Sequence, residues 1–156
     1  MATRAQKFIS FYIGDQQYAL PIMYGNKFIE FNRLTAIPQV DKDILGLIYQ
    51  GGNIITILDI KRILKIKSLN QNIQQICLMF EVDDYHYGIL VDQGGETISA
   101  NRTFTDRQKK IFKKYIKTKD KAKVYILEPD DILAQINILW LVRNTKIYTC
   151  LLLDNN

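Results

Sequence analysis

The chain alternates apolar and polar residues over short stretches, which is the pattern of half-buried β-strands. Residues 7–13 and 17–22 alternate in this way around a Gly-Asp-Gln turn at residues 14–16, so they predict a β-hairpin. Residues 46–60 predict a second hairpin, with Gly-Gly-Asn at residues 51–53 as its turn. The first half of the chain is therefore expected to consist of antiparallel strands rather than helices.

The same order of elements returns 69 residues later, which indicates an internal duplication. Nine residues recur at this offset, mostly at turns and strand ends: Phe11/Phe80, Asp15/Asp84, Tyr18/Tyr87, Gly25/Gly94, Ile29/Ile98, Ile57/Ile126, Leu58/Leu127, Ile63/Ile132 and Leu64/Leu133. Besides the two hairpins, strands are predicted over residues 28–37, 73–82, 85–91, 96–100 and 123–127. Many short strands with few helices favour small β-barrels over a parallel α/β sheet.

Length and composition fit a single globular unit, because the chain has 156 residues of which 47% are hydrophobic. The first residues alternate in polarity and no apolar run reaches the roughly 18 residues of a membrane span, so we expect a cytoplasmic protein that is not inserted in a membrane. Cys77 and Cys150 lie far apart and have no CxxC or histidine neighbourhood. No metal site and no cofactor are therefore expected.

Charge is concentrated in one segment. Residues 107–123 contain nine of the 21 basic residues and one acid, which leaves the rest of the chain with 12 basic and 15 acidic residues. Apolar residues within 105–116 form one stripe at helical spacing, so an amphipathic basic helix is predicted there. A solvated helix face explains this charge without nucleic acid; a nucleic-acid-binding surface that uses Phe112 and Tyr115 is the alternative.

Catalysis has little support in the sequence. The one histidine, His86, follows two aspartates and a tyrosine in a predicted hairpin, where histidine is usually an exposed turn residue. The adjacent carboxylates Asp83 and Asp84 diverge in such a turn and do not form a metal site. Because the sequence also has no nucleophile motif and no phosphate-binding loop, neither an enzymatic activity nor a small-molecule substrate is expected.

Three motifs in order resemble the CheW-like family of chemotaxis coupling proteins. They are the opening hairpin at residues 8–22, the stretch Gly-Leu-Ile-Tyr-Gln-Gly-Gly-Asn-Ile-Ile-Thr-Ile-Leu-Asp-Ile at residues 46–60, and Tyr-Gly-Ile-Leu-Val-Asp at residues 87–92. The resemblance covers residues 7–136. It implies a mainly β fold of two small five-stranded SH3-like β-barrel lobes, pseudo-duplicated around a shared hydrophobic core, with a few short helices.

The resemblance also implies a division of the chain. Residues 1–136 would form the CheW-like domain, with one lobe at residues 7–67 and the other at residues 73–136. Residues 137–156 form a hydrophobic tail that is atypical of the family. Its two apolar runs predict a terminal β-hairpin over residues 137–153.

The family resemblance implies a non-enzymatic adaptor of a bacterial signalling array. Such an adaptor couples the cytoplasmic helices of chemoreceptors, held in the groove between the barrels, to the regulatory domain of a chemotaxis histidine kinase, held by one barrel. Core packing is the alternative role for every apolar residue placed at these contacts. The expected partner-binding residues are Phe28, Ile44, Ile48, Gly51, Ile54, Val91, Gly94 and Thr97.

Several departures from the family pattern lie at the expected contacts. Gly51 stands where the family has arginine, and Lys27 stands where it has an acidic residue. Gly25 and Gly94 replace apolar residues of the family pattern. Loss of an arginine removes a charge and up to five hydrogen-bond donors, so specific partner recognition is expected to change more than the fold.

Overall fold

The computed structural model describes residues 5–37, 42–66 and 75–136. The predicted tail hairpin and Cys150 lie outside these residues. Within them, two short α-helices, α1 (Ile60–Ile63) and α2 (Pro129–Ala134), and one 3-10 helix (Ile22–Tyr24) accompany eleven strands. The strands are β1 (Gln6–Ile13), β2 (Gln16–Pro21), β3 (Lys27–Glu30), β4 (Ile44–Gln50), β5 (Asn53–Leu58), β6 (Ile76–Val82), β7 (Tyr85–Val91), β8 (Gln93–Ala100), β9 (Phe104–Thr105), β10 (Lys114–Lys117) and β11 (Lys123–Ile126).

The duplication in the sequence reappears in the order of these elements. The β1–β2 hairpin corresponds to β6–β7, β3 to β8, β5 to β11, and α1 to α2. Both predicted hairpins form, and the β4–β5 turn has positive φ at Gly51 and Gly52, as a tight two-residue turn requires. A strand was predicted over residues 28–37, but the observed strand β3 is shorter and ends at Glu30. After it, an isolated bridge joins Thr35 to Leu47.

Strands from the two halves of the chain are exchanged between two sheets. The six-stranded sheet has the order β8-β1-β2-β11-β10-β9, and the five-stranded sheet has the order β3-β6-β7-β5-β4. The β1–β2 hairpin therefore joins strands of the second half, through a parallel β2–β11 pair, and β6–β7 joins strands of the first half through a parallel β5–β7 pair. Each sheet therefore contains strands from residues 7–67 and strands from residues 73–136.

The shared hydrophobic core that was predicted is present. Its largest cluster takes Phe11 and Leu20 from the six-stranded sheet and Phe80 and Ile89 from the five-stranded sheet. Two smaller clusters lie on the other faces of the sheets, one around Ile55 and Cys77 and one around Phe8 and Val124. The mainly β prediction is confirmed, whereas the predicted five-stranded barrels are, within the described residues, open sheets with edge strands.

The prediction of an amphipathic helix over residues 105–116 is wrong. The chain forms β9, a turn-rich loop and β10 instead, and Phe112 adopts a positive φ of 52° within that loop. The neighbours Tyr115 and Ile116 are both buried, but they belong to different clusters on the two faces of the sheet. A strand buries both faces at once, whereas a helix would place these neighbours on one side, so tertiary packing overrides the helical spacing.

Candidate protein-binding site

Three of the expected contact residues contribute to the core. Ile44, Ile48 and Val91 are 6%, 3% and 4% exposed. Ile44 and Val91 pack in the large shared cluster, and Ile48 packs in the cluster around Cys77. Their side chains are therefore not available to a partner in this structure, and they support the strands that carry the exposed positions.

The structure brings Phe28 and Gly94 together between the two sheets. Phe28 lies half-buried on β3, an edge strand of the five-stranded sheet, and Gly94 lies on β8, an edge strand of the six-stranded sheet. A Cβ added to Gly94 would lie 3.3 Å from Cζ of the Phe28 ring. The ring thus occupies the space beside the glycine, where the family pattern has an apolar side chain.

A groove runs along β8 next to this contact. Its volume is about 890 Å³, and it is lined by residues of β8, including Gly94 and Thr97, and by Lys117 and Lys119 on another wall. Thr97 is exposed in this groove. We call the set Phe28, Gly94 and Thr97 the inter-sheet surface.

The remaining expected residues, Gly51 and Ile54, lie at the tip of the β4–β5 hairpin. Gly51 is exposed, has a φ of +61° and has open space around its Cα. Ile54 is half-buried and pairs directly with Tyr49 across the hairpin. An arginine at position 51 would project into solvent from a backbone conformation that favours glycine.

An apolar row crosses the five-stranded sheet beside this tip. Tyr49 on β4 pairs with Ile54 on β5, and Tyr85 on β7 pairs with Val82 on β6. Ile54 and Tyr85 each directly precede the paired residues Ile55 and His86, so the four side chains lie in one line across the sheet. We call Tyr49, Ile54, Tyr85 and Val82 the tyrosine row.

The tyrosine row is unusually exposed for its composition. Tyr49 is 47% and Tyr85 is 39% exposed, whereas most large apolar side chains of the described strands are buried. Neither tyrosine was among the contact residues predicted from the sequence. The signal was available, because in a hairpin with a two-residue turn the residues two positions before and after the turn face each other, which pairs Tyr49 with Ile54.

Polar contacts beside the tyrosine row are structural. Asp83 and Asp84 have φ values of 52° and 67° and form the tight turn between β6 and β7. Nε2 of His86 lies 3.7 Å from Oε2 of Glu81, its cross-strand partner. In residues 5–37, 42–66 and 75–136, no group of three or more His, Cys, Asp or Glu side chains is arranged to hold a metal ion.

The basic segment covers a ladder of aromatic rings. Five rings stand on directly paired residues across the six-stranded sheet, in the order Phe104, Tyr115, Tyr125, Tyr18 and Phe11. Successive ring centroids are 5.5, 5.8, 6.5 and 5.9 Å apart, within the range of favourable aromatic pairs. We call these five residues the aromatic ladder.

Four cations lie over the outer rings of the aromatic ladder. The side chains of Arg102 and Lys117 lie 5.0 and 4.6 Å from the centroid of Phe104. Lys123 lies 4.9 Å from the centroid of Tyr115, and Lys109 lies 4.2 Å from that of Tyr125. These are cation–π distances. We call Arg102, Lys109, Lys117 and Lys123 the basic face.

One carboxylate is built into the basic face. Oδ2 of Asp106 accepts a hydrogen bond of 2.9 Å from the Tyr125 hydroxyl and lies 3.8 Å from Nζ of Lys123. That hydrogen bond, together with one from the backbone N–H of Gln108, lowers the pKa of Asp106 below its ordinary value. Burial and, secondly, Asp106 raise the pKa of Tyr125 to about 12.

These contacts do not support the nucleic-acid alternative. Phe112 and Tyr115 are 6% and 9% exposed, and Tyr125 is 9% exposed. Proteins that bind single strands stack bases on open aromatic faces. Neighbouring rings and cations cover Tyr115 and Tyr125, and Phe112 is buried, so these three rings offer no such faces.

No helix in the described ranges is both long and apolar enough to span a bilayer.

The chain matches known proteins over most of its length. A family model described as a CheW-like domain matches residues 7–137. The chain is 27% identical to the chemotaxis protein CheW of Helicobacter pylori over 100 residues, which cover 64% of this chain and 61% of that protein. It is 23% identical to the chemotaxis protein CheW of Rhizobium meliloti over 96 residues, which cover 62% of each. The matches thus span less than two thirds of these curated relatives.

A solved structure is similar in fold. It is the crystal structure of the scaffolding protein TtCheW from Thermoanaerobacter tengcongensis, with a TM-score of 0.69 and 22% identity over 78% of this chain and 88% of that one. This likeness agrees with the two-sheet architecture described above. Because the family model covers well over half of its residues, the chain belongs to the CheW-like domain family.

Proposed function

We propose that this protein is a non-enzymatic cytoplasmic adaptor that couples the cytoplasmic helices of chemoreceptors to the regulatory domain of a chemotaxis histidine kinase. Membership of the CheW-like family and similarity to proteins named chemotaxis protein CheW support this proposal. The structural observation that carries it is the tyrosine row, because two exposed tyrosines in line with the half-buried Ile54 and Val82 form an apolar surface of the kind found at protein interfaces.

The tyrosine row is our candidate contact for the kinase regulatory domain. Tyrosine is enriched among residues that dominate binding energy, since its ring buries a large area and its hydroxyl retains a hydrogen bond. The row lies on strands β4 to β7 of the five-stranded sheet, so packing fixes its backbone before a partner arrives. Gly51 at the adjacent tip leaves this contact without the arginine of the family pattern.

The inter-sheet surface is our candidate contact for a receptor helix. The groove along β8 is open, and Gly94 and Thr97 present little side-chain bulk there, which allows a helix to approach the strand closely. Phe28 gives this surface its aromatic side chain. The two partners would then occupy different parts of the molecule, as coupling requires.

Binding to the purified kinase regulatory domain tests the first contact. We expect the natural chain to bind with micromolar affinity, and we expect Tyr49→Ala with Tyr85→Ala to weaken binding by at least about tenfold. Met23→Ala is the matched control, because Met23 is 77% exposed and lies outside the tyrosine row. Unchanged binding by the double tyrosine variant would move the kinase contact elsewhere.

A parallel titration with a receptor-tip helical hairpin tests the second contact. Thr97→Lys places a long charged side chain in the groove, so it should weaken receptor binding while leaving kinase binding intact. The double tyrosine variant should show the opposite pattern. Loss of both partners in either variant would contradict two separate contacts.

Gly51→Arg measures what the missing arginine contributes, and a gain in kinase affinity would place this residue at the interface.

A further inference from the structure

The basic face differs from an ordinary solvated charge run in its geometry. Each of its four cations lies 4.2–5.0 Å from the centroid of a ring of the aromatic ladder. The rings are themselves held in register by strand pairing. The charges are therefore held at defined positions over β9, β10 and β11, so less side-chain entropy is lost when they pair with an anion.

Few carboxylates in the described part of the chain lie close to the cations of the basic face. Among the described residues, Asp106 is the one carboxylate in an ion pair with the face, and that pair is with Lys123. Arg102, Lys109 and Lys117 form no ion pair with a described carboxylate. Residues 107–123 carry nine basic residues against one acid, so the surrounding potential is strongly positive.

Asp106 shows which anion the face accommodates. Its carboxylate is held by a phenol hydroxyl, a backbone N–H and a nearby ammonium group. A carboxylate from another molecule would likewise meet an ammonium group at Lys109 or Lys117, each of which lies over an aromatic ring. In addition, β9 is an edge strand of the six-stranded sheet in the described part of the chain, and an edge strand favours an extended polypeptide lying alongside it.

We propose that the basic face is a docking surface for an acidic protein segment, whose carboxylates pair with Arg102, Lys109, Lys117 and Lys123. The occupant is an extended chain rich in Asp or Glu, because charge complementarity favours carboxylates and the covered rings offer no stacking for bases. This surface is separate from the tyrosine row, and it borders the groove along β8, because Lys117 lines that groove as well.

Fluorescence anisotropy of a labelled peptide of alternating glutamate and serine tests the proposal. The face variant carries Arg102→Gln, Lys109→Gln, Lys117→Gln and Lys123→Gln. The matched control carries Arg107→Gln, Lys110→Gln, Lys113→Gln and Lys119→Gln, which removes the same charge at exposed positions that lie over no ring in the described contacts. At about 0.15 M salt, we expect the face variant to bind at least about tenfold more weakly and the control less than about threefold.

Phe104→Leu keeps every charge and removes the ring beneath Arg102 and Lys117. Phe104→Leu should weaken peptide binding by about threefold. If far-UV circular dichroism shows that the face variant is unfolded, Phe104→Leu tests the proposal in its place. Equal weakening by the face and control variants would overturn the proposal, because only overall charge would then matter. It would also be overturned by no peptide binding, or by tighter binding of a labelled oligothymidine than of the peptide.

Discussion

In each sheet, one row of directly paired residues crosses five strand positions, and the two rows differ in residue type at their outer positions. Across the six-stranded sheet the paired residues are Phe11, Tyr18, Tyr125, Tyr115 and Phe104. The corresponding row across the five-stranded sheet reads Phe80, Tyr87, Thr56, Leu47 and Thr35. The two inner positions are identical in type, and their rings are 5.9 and 5.7 Å apart.

The inner residues of the two rows meet a packing requirement that both sheets share, whereas the outer residues differ between the sheets. The inner Phe–Tyr pairs belong to one shared cluster, so both copies of the repeat meet the same packing requirement. The outer positions differ in residue type, although Tyr125, Tyr115 and Leu47 belong to the same cluster. In the six-stranded sheet they are aromatic and carry cations, whereas in the five-stranded sheet they are small or aliphatic, and exposed tyrosines lie instead at the hairpin tips.

The strongest test of this comparison removes the two inner phenylalanines. Phe11→Ala and Phe80→Ala should each lower the free energy of unfolding by about 3–5 kcal/mol, because both rings are fully buried in the shared cluster. Chemical denaturation of each variant measures the loss. If one substitution costs several-fold more than the other, the inner positions are not equivalent. Phe→Leu at each position gives a milder version that retains the fold.

The edge strands β3 and β8 offer a second comparison. Gly94→Val should cost about 1–3 kcal/mol, because a Cβ there would lie 3.3 Å from the Phe28 ring. Adding Phe28→Ile should recover most of that loss by making room. A double-mutant cycle by thermal or chemical denaturation measures the coupling. Simple additivity of the two substitutions would show that the ring does not fill the space beside the glycine.

High pH should destabilise the folded protein through one buried tyrosine in each sheet, Tyr87 and Tyr125. Burial, as the main cause, raises the pKa of both Tyr87 and Tyr125 to about 12. Between the ordinary tyrosine pKa of about 10 and that value, the unfolded chain has released the proton while the folded chain keeps it. Stability should therefore be complete below pH of about 10 and should fall as pH rises toward about 12.

Tyrosinate absorbance and denaturation curves over this pH range check the direction. Tyr87→Phe and Tyr125→Phe should each reduce the alkaline loss of stability. A loss that is unchanged in both variants would assign it to other groups. The buried thiol of Cys77, whose pKa burial also raises to about 12, is one such group.

The smallest expected effect concerns single cations of the basic face. Lys109→Gln should lower the free energy of unfolding by about 0.5 kcal/mol, since Nζ lies over the Tyr125 ring. Lys110→Gln is the neighbouring control and should change stability by about zero. Parallel thermal unfolding curves measure the difference. Identical curves for the two variants would mean that the ring contact adds nothing to stability.

Sequence patterns predicted the local elements well, because hairpins depend on alternation and turn residues that lie close together in the chain. The β1–β2, β4–β5 and β6–β7 hairpins form where the pattern placed them. Strand exchange was not predictable in this way, since apolar alternation does not say which strands pair over long distances. The helix predicted over residues 105–116 failed for a related reason, as Tyr115 and Ile116 serve two different clusters.

The candidate site was predictable only in part. Exposed and buried apolar strand residues look alike in a sequence, so Ile44, Ile48 and Val91 were placed at contacts although they are in the core. The Phe28–Gly94 contact joins residues from the two halves of the chain, and no local signal pairs them. Partner binding by Phe28, Gly51, Ile54, Gly94 and Thr97 stays a prediction, and the Gly51→Arg and Thr97→Lys titrations test it at two of these positions.

The exchange of hairpins has a consequence for how the protein is made. As the chain leaves the ribosome, β1 and β2 emerge long before β8 and β11, the strands that flank them in the finished sheet. Contacts between distant parts of a chain form slowly, and unpaired strand edges promote aggregation while they wait. The first half of the chain is thus an incomplete folding unit. If the gene were divided between the two copies of the repeat, neither of the two encoded fragments would contain all the strands of either sheet.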